Sequence, residues 1–234
     1  RDWCGGENVA SLIFPPLELA QTASLLRKNG FDVGIIDASA LHLSHREVVL
    51  MVKQHKPDWV GIPSAWASIG DDIHLATLIK ESSPKTKIIF CGVNVTAEPV
   101  LALDSGIVDY AILGEPEMAF LDIIQGRLDK NVAFRENGKI ITKKIVQLGE
   151  LDELPFPARD LLPNSYYVSP FTKTNPFTFM YTSRGCSYQC IFCPASIWYS
   201  HKVRYRSIEN VIPEIKEIVD KYKIRDIIFR DPSM

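Results

Sequence analysis

Between residues 17 and 126 the sequence switches repeatedly between two hydrophobic periods, and this alternation narrows the possible folds sharply. Stretches of helical period are "LELAQTASLLRKNG" (17–30), "SHREVVLMVKQHKP" (44–57), "GDDIHLATLIKESSP" (70–84), a segment near 97–104 and another near 116–125. Between them lie short apolar runs: "DVGIIDA" (32–38), "DWVGIPS" (58–64), "KIIFCG" (87–92) and "VDYAILG" (108–114). A strand apolar throughout is buried on both faces, and strands separated by helices run parallel. The pattern therefore predicts an α/β fold with a parallel sheet covered on both sides. Gly30 is placed to close the first helix and Pro57 to stop the second. Ligands of such sheets bind in the loops beyond the carboxyl ends of the strands. Those loops are "DASA" (37–40), "PSAWAS" (63–68), "CGVNV" (91–95) and "GEPE" (114–117). Their small residues suit close approach of backbone to a bulky ligand, and equally suit plain turns.

The pattern breaks after residue 126. "VAFRENGKIITKK" reads as a hairpin turning at Asn137-Gly138, the dipeptide of a type I′ turn. In "LDELPFPARDLLPNSYYVSPF", prolines at 155, 157, 163 and 170 preclude a regular helix or central strand, while its leucines and aromatics can pack. A second α/β run follows: a strand at 177–183, a cysteine-bearing loop, a helix at 207–222 with Ser207 as N-cap, and a strand at 225–231. Ile208, Val211, Ile212, Ile215, Ile218, Val219 and Tyr222 form that helix's apolar face, and Pro213 removes a backbone bond from it unless the helix starts late. The expected division is residues 1–130 as a first α/β domain, 131–175 as hairpin and connector, and 176–234 as the start of a second domain.

Composition sets the class. The 234 residues are 46% hydrophobic and 23% charged, as in packed globular proteins. A net charge of −2 gives no general attraction for nucleic acid or anionic membrane. No run approaches the roughly 18 apolar residues of a membrane span, and "RDWCGGENVA" lacks the layout of a secretory signal. Five unevenly placed cysteines suit reduced thiols in the cytoplasm better than a disulfide framework.

Three of those cysteines, Cys186, Cys190 and Cys193, fall within "RGCSYQCIFCP" with the spacing C-x3-C-x2-C. Thiolates are soft ligands for zinc, copper(I) or iron–sulfur clusters. A structural zinc site wants four protein ligands, and His201 is the one nearby residue to complete it. A disulfide with one free thiol is a further alternative. Iron–sulfur clusters are normally held by four thiolates, so three on a [4Fe–4S] cluster leave one iron open to a small molecule.

The string "TSRGCSYQCIFCPAS", with Arg184-Gly185 and Phe192 flanking the cysteines, resembles the first strand and cluster loop of the radical S-adenosylmethionine enzymes. The resemblance implies a [4Fe–4S] cluster on Cys186, Cys190 and Cys193. Its open iron would chelate S-adenosylmethionine, and one electron would cleave the sulfonium carbon–sulfur bond to give a 5′-deoxyadenosyl radical. It also places Phe192 near the adenine and makes Asp231 a candidate S-adenosylmethionine contact.

The upstream segments "PPLELAQTASLLRKNGFDVGIIDA", "PDWVGIPSA", "PKTKIIFCGVNVTAEP" and "VDYAILGEPE" resemble the flavodoxin/Rossmann-like cobalamin-binding domain of one radical-SAM branch, and "LDELPFPARDLLP" resembles its connector. By that resemblance Asp37, Ser39, Ser64, Trp66, Gly92, Val93, Gly114 and Glu115 contact cobalamin. The familiar signature D-x-H-x-x-G, S-x-L, G-G is altered: Ser39 stands in place of the axial histidine, Trp66 replaces the leucine, and Gly92-Val93 replaces the double glycine. His42 and His45 lie near the missing histidine and are alternative cobalt ligands, or simply surface groups. Trp66 can stack on the corrin or fill a helix–sheet interface. Cys91 reads as a small buried hydrophobe and Cys4 as an isolated cysteine.

By analogy with this branch the chain is expected to be a fragment, with a first strand missing before "FPPLELA" and further barrel units after residue 234. The implied reactions are methyl transfer, ring formation or another radical rearrangement on a small-molecule or biosynthetic-intermediate substrate. A donor such as flavodoxin or ferredoxin would supply the electron. The competing expectation is a non-catalytic cobalamin- or metal-binding module whose cysteines serve structure or electron transfer.

Overall fold

The structure, a computed structural model, describes residues 13–232. Cys4 therefore lies outside the described residues. By internal contacts these residues form two compact units, one of residues 43–147 and the other of residues 13–42 together with 148–232. The sequence-based division at 130 and 175 follows composition, whereas these units follow contacts.

Helix α1 (Leu17–Lys28) packs in the second unit, and Gly30 just beyond it adopts φ +85°, as a C-terminal glycine should. The next segment departs from expectation. Residues 32–38 form no strand. A strand satisfies its backbone groups on a neighbour, and no described strand pairs with this one. Its Ile35 still packs against the cluster of Leu17, Ala20, Tyr167, Phe177 and Phe179.

In the first unit, α2 (His45–His55) starts with a capping box: Ser44 Oγ accepts from the Glu47 amide, and the Glu47 carboxylate accepts from the Ser44 amide at 2.8 Å. Strands β1 (Trp59–Pro63), β2 (Lys87–Cys91) and β3 (Tyr110–Ile112) form the parallel core of the sheet, in that order. Helix α3 (Ile69–Ser82) connects β1 to β2. The helix expected near 97–104 is instead two short ones, α4 (Val93–Ala97) and α5 (Val100–Leu103). They break at Glu98-Pro99 because proline removes an amide donor and pushes the preceding residue out of helical conformation; Glu98 has φ −137° and ψ 76°. Helix α6 (Pro116–Ile124) covers β2 and β3 through Ala119 and Ile123, beside Ile89 and Ile112. The hairpin of β4 (Val132–Glu136) and β5 (Lys139–Thr142) turns at Asn137 (φ 48°) and Gly138 (φ 77°) as anticipated. It also extends the sheet, because β4 pairs antiparallel with β3.

At the amino end of this sheet Asp109 ties three elements together. Its carboxylate accepts from Lys80 Nζ (2.7 Å), Lys87 Nζ (2.8 Å) and the Ile88 amide (2.8 Å). Burial alone would raise its pKa, but the two ammonium groups and the amide outweigh burial and hold it below 3.8. A carboxylate lowered on folding adds stability above its unfolded pKa, and that stability is lost as pH falls through the folded value. Asp109→Asn should therefore lower the urea midpoint at pH 7, with the gap to wild type narrowing towards pH 3. An equal gap at both pH values would contradict this account.

The second unit continues through the proline-rich connector, which holds only short 3-10 turns at Leu151–Glu153, Arg159–Leu161 and Asn164–Tyr166. Its Leu151, Leu154, Leu162 and Tyr167 are buried. Strand β6 (Phe177–Met180) pairs in parallel with β9 (Asp226–Phe229). Between them lie β7 (Ser183–Arg184), α7 (Ala195–Tyr199), β8 (Arg204–Tyr205) and α8 (Ile208–Asp220). Ser207 caps α8, accepting from the Asn210 amide, and Pro213 lies inside the helix at the cost of one backbone bond. Ile218 and Val211 pack against Met180 and Ile224, whereas Ile208, Ile212 and Val219 stay exposed. Among the described residues no helix is long and apolar enough to cross a membrane.

Candidate functional site

Two sets of sequence-predicted residues occupy loops at the carboxyl ends of parallel strands, one in each unit. In the first unit the loops after β1, β2 and β3 are hydrogen-bonded to one another. The Ser64 amide donates to Cys91 O (2.8 Å), Asn94 Nδ2 to Ser64 Oγ (3.3 Å), and the Gly114 amide to Thr96 Oγ1 (3.0 Å). Thr96 Oγ1 in turn donates to Gly92 O at 2.8 Å. Gly92 has φ +136° and ψ 168°, a region open essentially to glycine alone, and a Cβ there would overlap the Ser64 carbonyl. Val93 already begins α4, so the close approach anticipated for a glycine pair falls on Gly92 alone.

Ser64 and Glu115 are buried, Gly114 has φ +79°, and Trp66 is exposed rather than filling a helix–sheet interface. Cys91 is buried in β2 among apolar neighbours, as read from the sequence. Asn94 falls inside the loop 91–95 read as ligand-facing, though not singled out, whereas Thr96 escaped the sequence reading. Asn94 is fully buried and, among the described residues, its Oδ1 has no hydrogen-bond partner. A glycine cradle, interlocked polar loops and an orphaned acceptor fit a large amide-bearing ligand such as cobalamin. Gly92→Ala should destabilise the chain by about 1–3 kcal/mol from backbone strain alone, read as a lower thermal midpoint. An unchanged midpoint would show that the loop relaxes freely.

Asp37 and Ser39 belong to the other unit. Asp37 is buried; its Oδ2 accepts from Tyr167 Oη at 2.8 Å and its Oδ1 from the Ala40 amide at 3.0 Å. Burial, reinforced by that carboxylate, pushes the Tyr167 hydroxyl far above its usual pKa. Ser39 and His42 are exposed. His45 lies in the first unit with its ring 5.7 Å from that of His74.

In the second unit the cysteine loop follows β6. Its base is pinned by the antiparallel β7–β8 bridge, which pairs Ser183 with Tyr205 and Arg184 with Arg204, and by the Cys186 amide donating to Ser200 O at 3.2 Å. Gly185 (φ +103°) passes so close to Lys202 that a Cβ would overlap its carbonyl oxygen. Arg204 donates to Leu148 O (2.6 Å) and Tyr199 O (3.1 Å), tying the loop to the connector. Asp231 is consumed in the same framework: Oδ1 accepts from the Thr182 and Ser183 amides (both 2.7 Å) and Oδ2 from Thr182 Oγ1 (2.6 Å).

Cys186 is buried, Cys193 half-buried and Cys190 exposed, and all three are free thiols. Among the described residues no three His, Cys, Asp or Glu side chains are already placed to hold a metal ion. The donor set nevertheless fits a thiophilic centre: three unpaired thiols on one short loop, closed at its base and projecting Ile191 and Phe192 into solvent. Phe192 is 86% exposed.

Sequence reasoning also missed a buried ionic cluster beneath this loop. Arg159 Nη2 donates to Glu214 Oε1 (2.7 Å) and Phe179 O (2.9 Å), and Arg206 Nη2 lies 2.6 Å from Glu214 Oε2. Glu214 interrupts the apolar stripe of α8 between Val211 and Ile218, which was the available signal.

Comparison with known proteins places these features. A protein of Pyrococcus horikoshii described as an uncharacterized methyltransferase is 32% identical over 94% of this chain and 49% of its own length. Cytidylyl-2-hydroxyethylphosphonate methyltransferase of Streptomyces wedmorensis is 28% identical over 94% of this chain and 51% of its own. The chain thus spans about half the length of these relatives. In fold it resembles the cobalamin-dependent S-adenosylmethionine radical enzyme OxsB, solved with aqua-cobalamin and S-adenosylmethionine, with a TM-score of 0.80 at 18% identity over 95% of this chain and 32% of that one. The B12 binding domain family matches residues 8–124, half of the sequence. With the interlocked loops of Ser64, Gly92 and Gly114 inside that stretch, the chain belongs to the B12-binding domain family.

Proposed function

We propose that this chain carries two cofactor sites of a cobalamin-dependent radical S-adenosylmethionine enzyme whose reaction is methyl transfer. The observation that carries this reading is the union, in one chain of the B12-binding family, of the Gly92 cradle with a closed loop bearing three free thiols. The methyltransferase names of the two relatives support methyl transfer.

In this reading Ser64, Gly92, Asn94, Gly114 and Glu115 hold cobalamin, with Trp66 exposed beside them. Ser39 stands at the position of the signature histidine, so the chain would offer cobalamin no imidazole there. Cys186, Cys190 and Cys193 would hold a [4Fe–4S] cluster, and Phe192 would lie near the adenine of S-adenosylmethionine. When bound, the cluster supplies one electron for cleavage of S-adenosylmethionine and cobalamin supplies a transferable methyl group. The chain's own part is to fix the cysteine loop through Gly185, Arg204 and Asp231, and to let backbone reach the corrin at Gly92.

Incubation of the purified chain with hydroxocobalamin, iron and sulfide under anaerobic conditions, followed by gel filtration, tests the reading. Corrin absorbance and iron–sulfur absorbance should both elute with the protein. Elution of all corrin as free cobalamin would remove the first site, and absence of iron would remove the second.

A further inference from the structure

We infer that Arg184, lying against the rings of both Tyr181 and Tyr199, clamps the two flanks of the cysteine loop together and is a positioning residue for the cluster; this rests on the cluster reading above. Tyr181 stands just beyond β6, before the loop, and Tyr199 ends α7, after Cys193. They are far apart in sequence, yet their ring centroids lie 6.3 Å apart at 69°, and Tyr199 Oη donates to Tyr181 Oη at 3.3 Å. Tyr181 Oη donates onward to Glu18 Oε1 at 2.6 Å, which anchors the pair on α1.

The Arg184 guanidinium carbon sits 5.4 Å from the Tyr181 ring centre and 5.8 Å from that of Tyr199. Arg184 is buried, and desolvation strengthens the attraction of a cation for a ring face. One side chain thereby touches the residue that leads into the loop and the residue that leads out of it. Its backbone, in β7, is itself part of the bridge that closes the loop and lies two residues from Cys186.

The chemistry asks for arginine. A planar guanidinium can lie against both rings at once, whereas the compact, strongly hydrated ammonium of lysine cannot. Holding both flanks reduces the conformational freedom that the three thiols lose on binding a cluster. It adds no ligand and takes no part in the chemistry.

The test compares wild type with Arg184→Lys, Tyr199→Leu and Tyr199→Phe, all as the full chain. Hydrogen–deuterium exchange of the reduced, cluster-free protein reads the clamp directly. Arg184→Lys and Tyr199→Leu should raise exchange across 186–200 by about tenfold while leaving 208–220 unchanged. After reconstitution the same two variants should release iron to a chelator about tenfold faster. Tyr199→Phe keeps the ring and should match wild type in both measurements. Wild-type exchange and wild-type iron release in both Arg184→Lys and Tyr199→Leu would overturn the inference. If wild type itself takes up no cluster, the cluster reading fails, and the exchange result still decides whether the clamp exists. Should Arg184→Lys fail to fold, the half-buried Tyr199 supplies the deciding variant.

Discussion

Glu214→Ala is expected to destabilise the unit containing α8 by about 3–5 kcal/mol, the range for removing one partner of a buried ion pair. Glu214 and Arg159 are essentially inaccessible, with 1% and 0% of their side chains exposed, and the Glu214 carboxylate faces both Arg159 and Arg206. Truncation would leave two guanidinium groups facing each other with no counter-charge between them. Among the described residues Arg159 Nη1 already lacks a hydrogen-bond partner, so removing the Glu214 carboxylate would leave this guanidinium still less satisfied. Such a loss is a large part of the roughly 5–15 kcal/mol that a domain possesses.

Glu214→Gln separates charge from shape, since it keeps the volume and one acceptor oxygen but loses the negative charge. It should fall between wild type and Glu214→Ala. Chemical denaturation monitored through hydrogen exchange of α8 measures both. A change of less than about 1 kcal/mol in Glu214→Ala, the scale of an exposed pair, would show that solvent reaches the site. The consequence for function is positional. Arg206 also donates to Tyr181 O at 2.7 Å, so the ionic cluster supports the strand end from which the cysteine loop departs.

Cys190→Ala is the second large effect, and it should leave the fold intact. Cys190 is exposed and its side chain supports no packing, so melting and circular dichroism should match wild type. Bound iron, by contrast, should fall to background after anaerobic reconstitution. Three thiolates are already one short of the usual four, and two leave the cluster without an adequate ligand set. Full iron retention in Cys190→Ala would remove this residue from the ligand set. Loss of the fold would show instead that the exposed thiol has a structural role.

Much of this architecture is legible in the sequence for identifiable reasons. The apolar runs at 58–64, 87–92 and 108–114 become parallel strands because both of their faces must be covered. Asn137-Gly138 and Ser207 act locally, through positive φ and side-chain capping, and local signals survive in any tertiary context. Failures came where the outcome depends on a distant partner. Residues 32–38 have a strand's composition but no described neighbour to pair with. Arg184–Arg204 pairing, the Arg159–Glu214 contact and the Ser64–Asn94–Gly92 arrangement each join segments that no periodicity connects.

The site itself divides the same way. Thiol chemistry and spacing are visible in "RGCSYQCIFCP" alone, while the closure of that loop on Ser200 and Lys202 emerges only in three dimensions. Asp231, expected as an S-adenosylmethionine contact, has its carboxylate engaged by Thr182 and Ser183. Its aspartate chemistry was readable, and its partners were not.

In the proposed function, the three-cysteine loop would hold a cluster with an iron open to S-adenosylmethionine. The most direct measurement is the electron paramagnetic resonance spectrum of the anaerobically reconstituted, reduced chain, recorded with and without S-adenosylmethionine. The expected result is a [4Fe–4S]-type signal whose shape changes when S-adenosylmethionine is added. A cluster signal that S-adenosylmethionine leaves unchanged would contradict it.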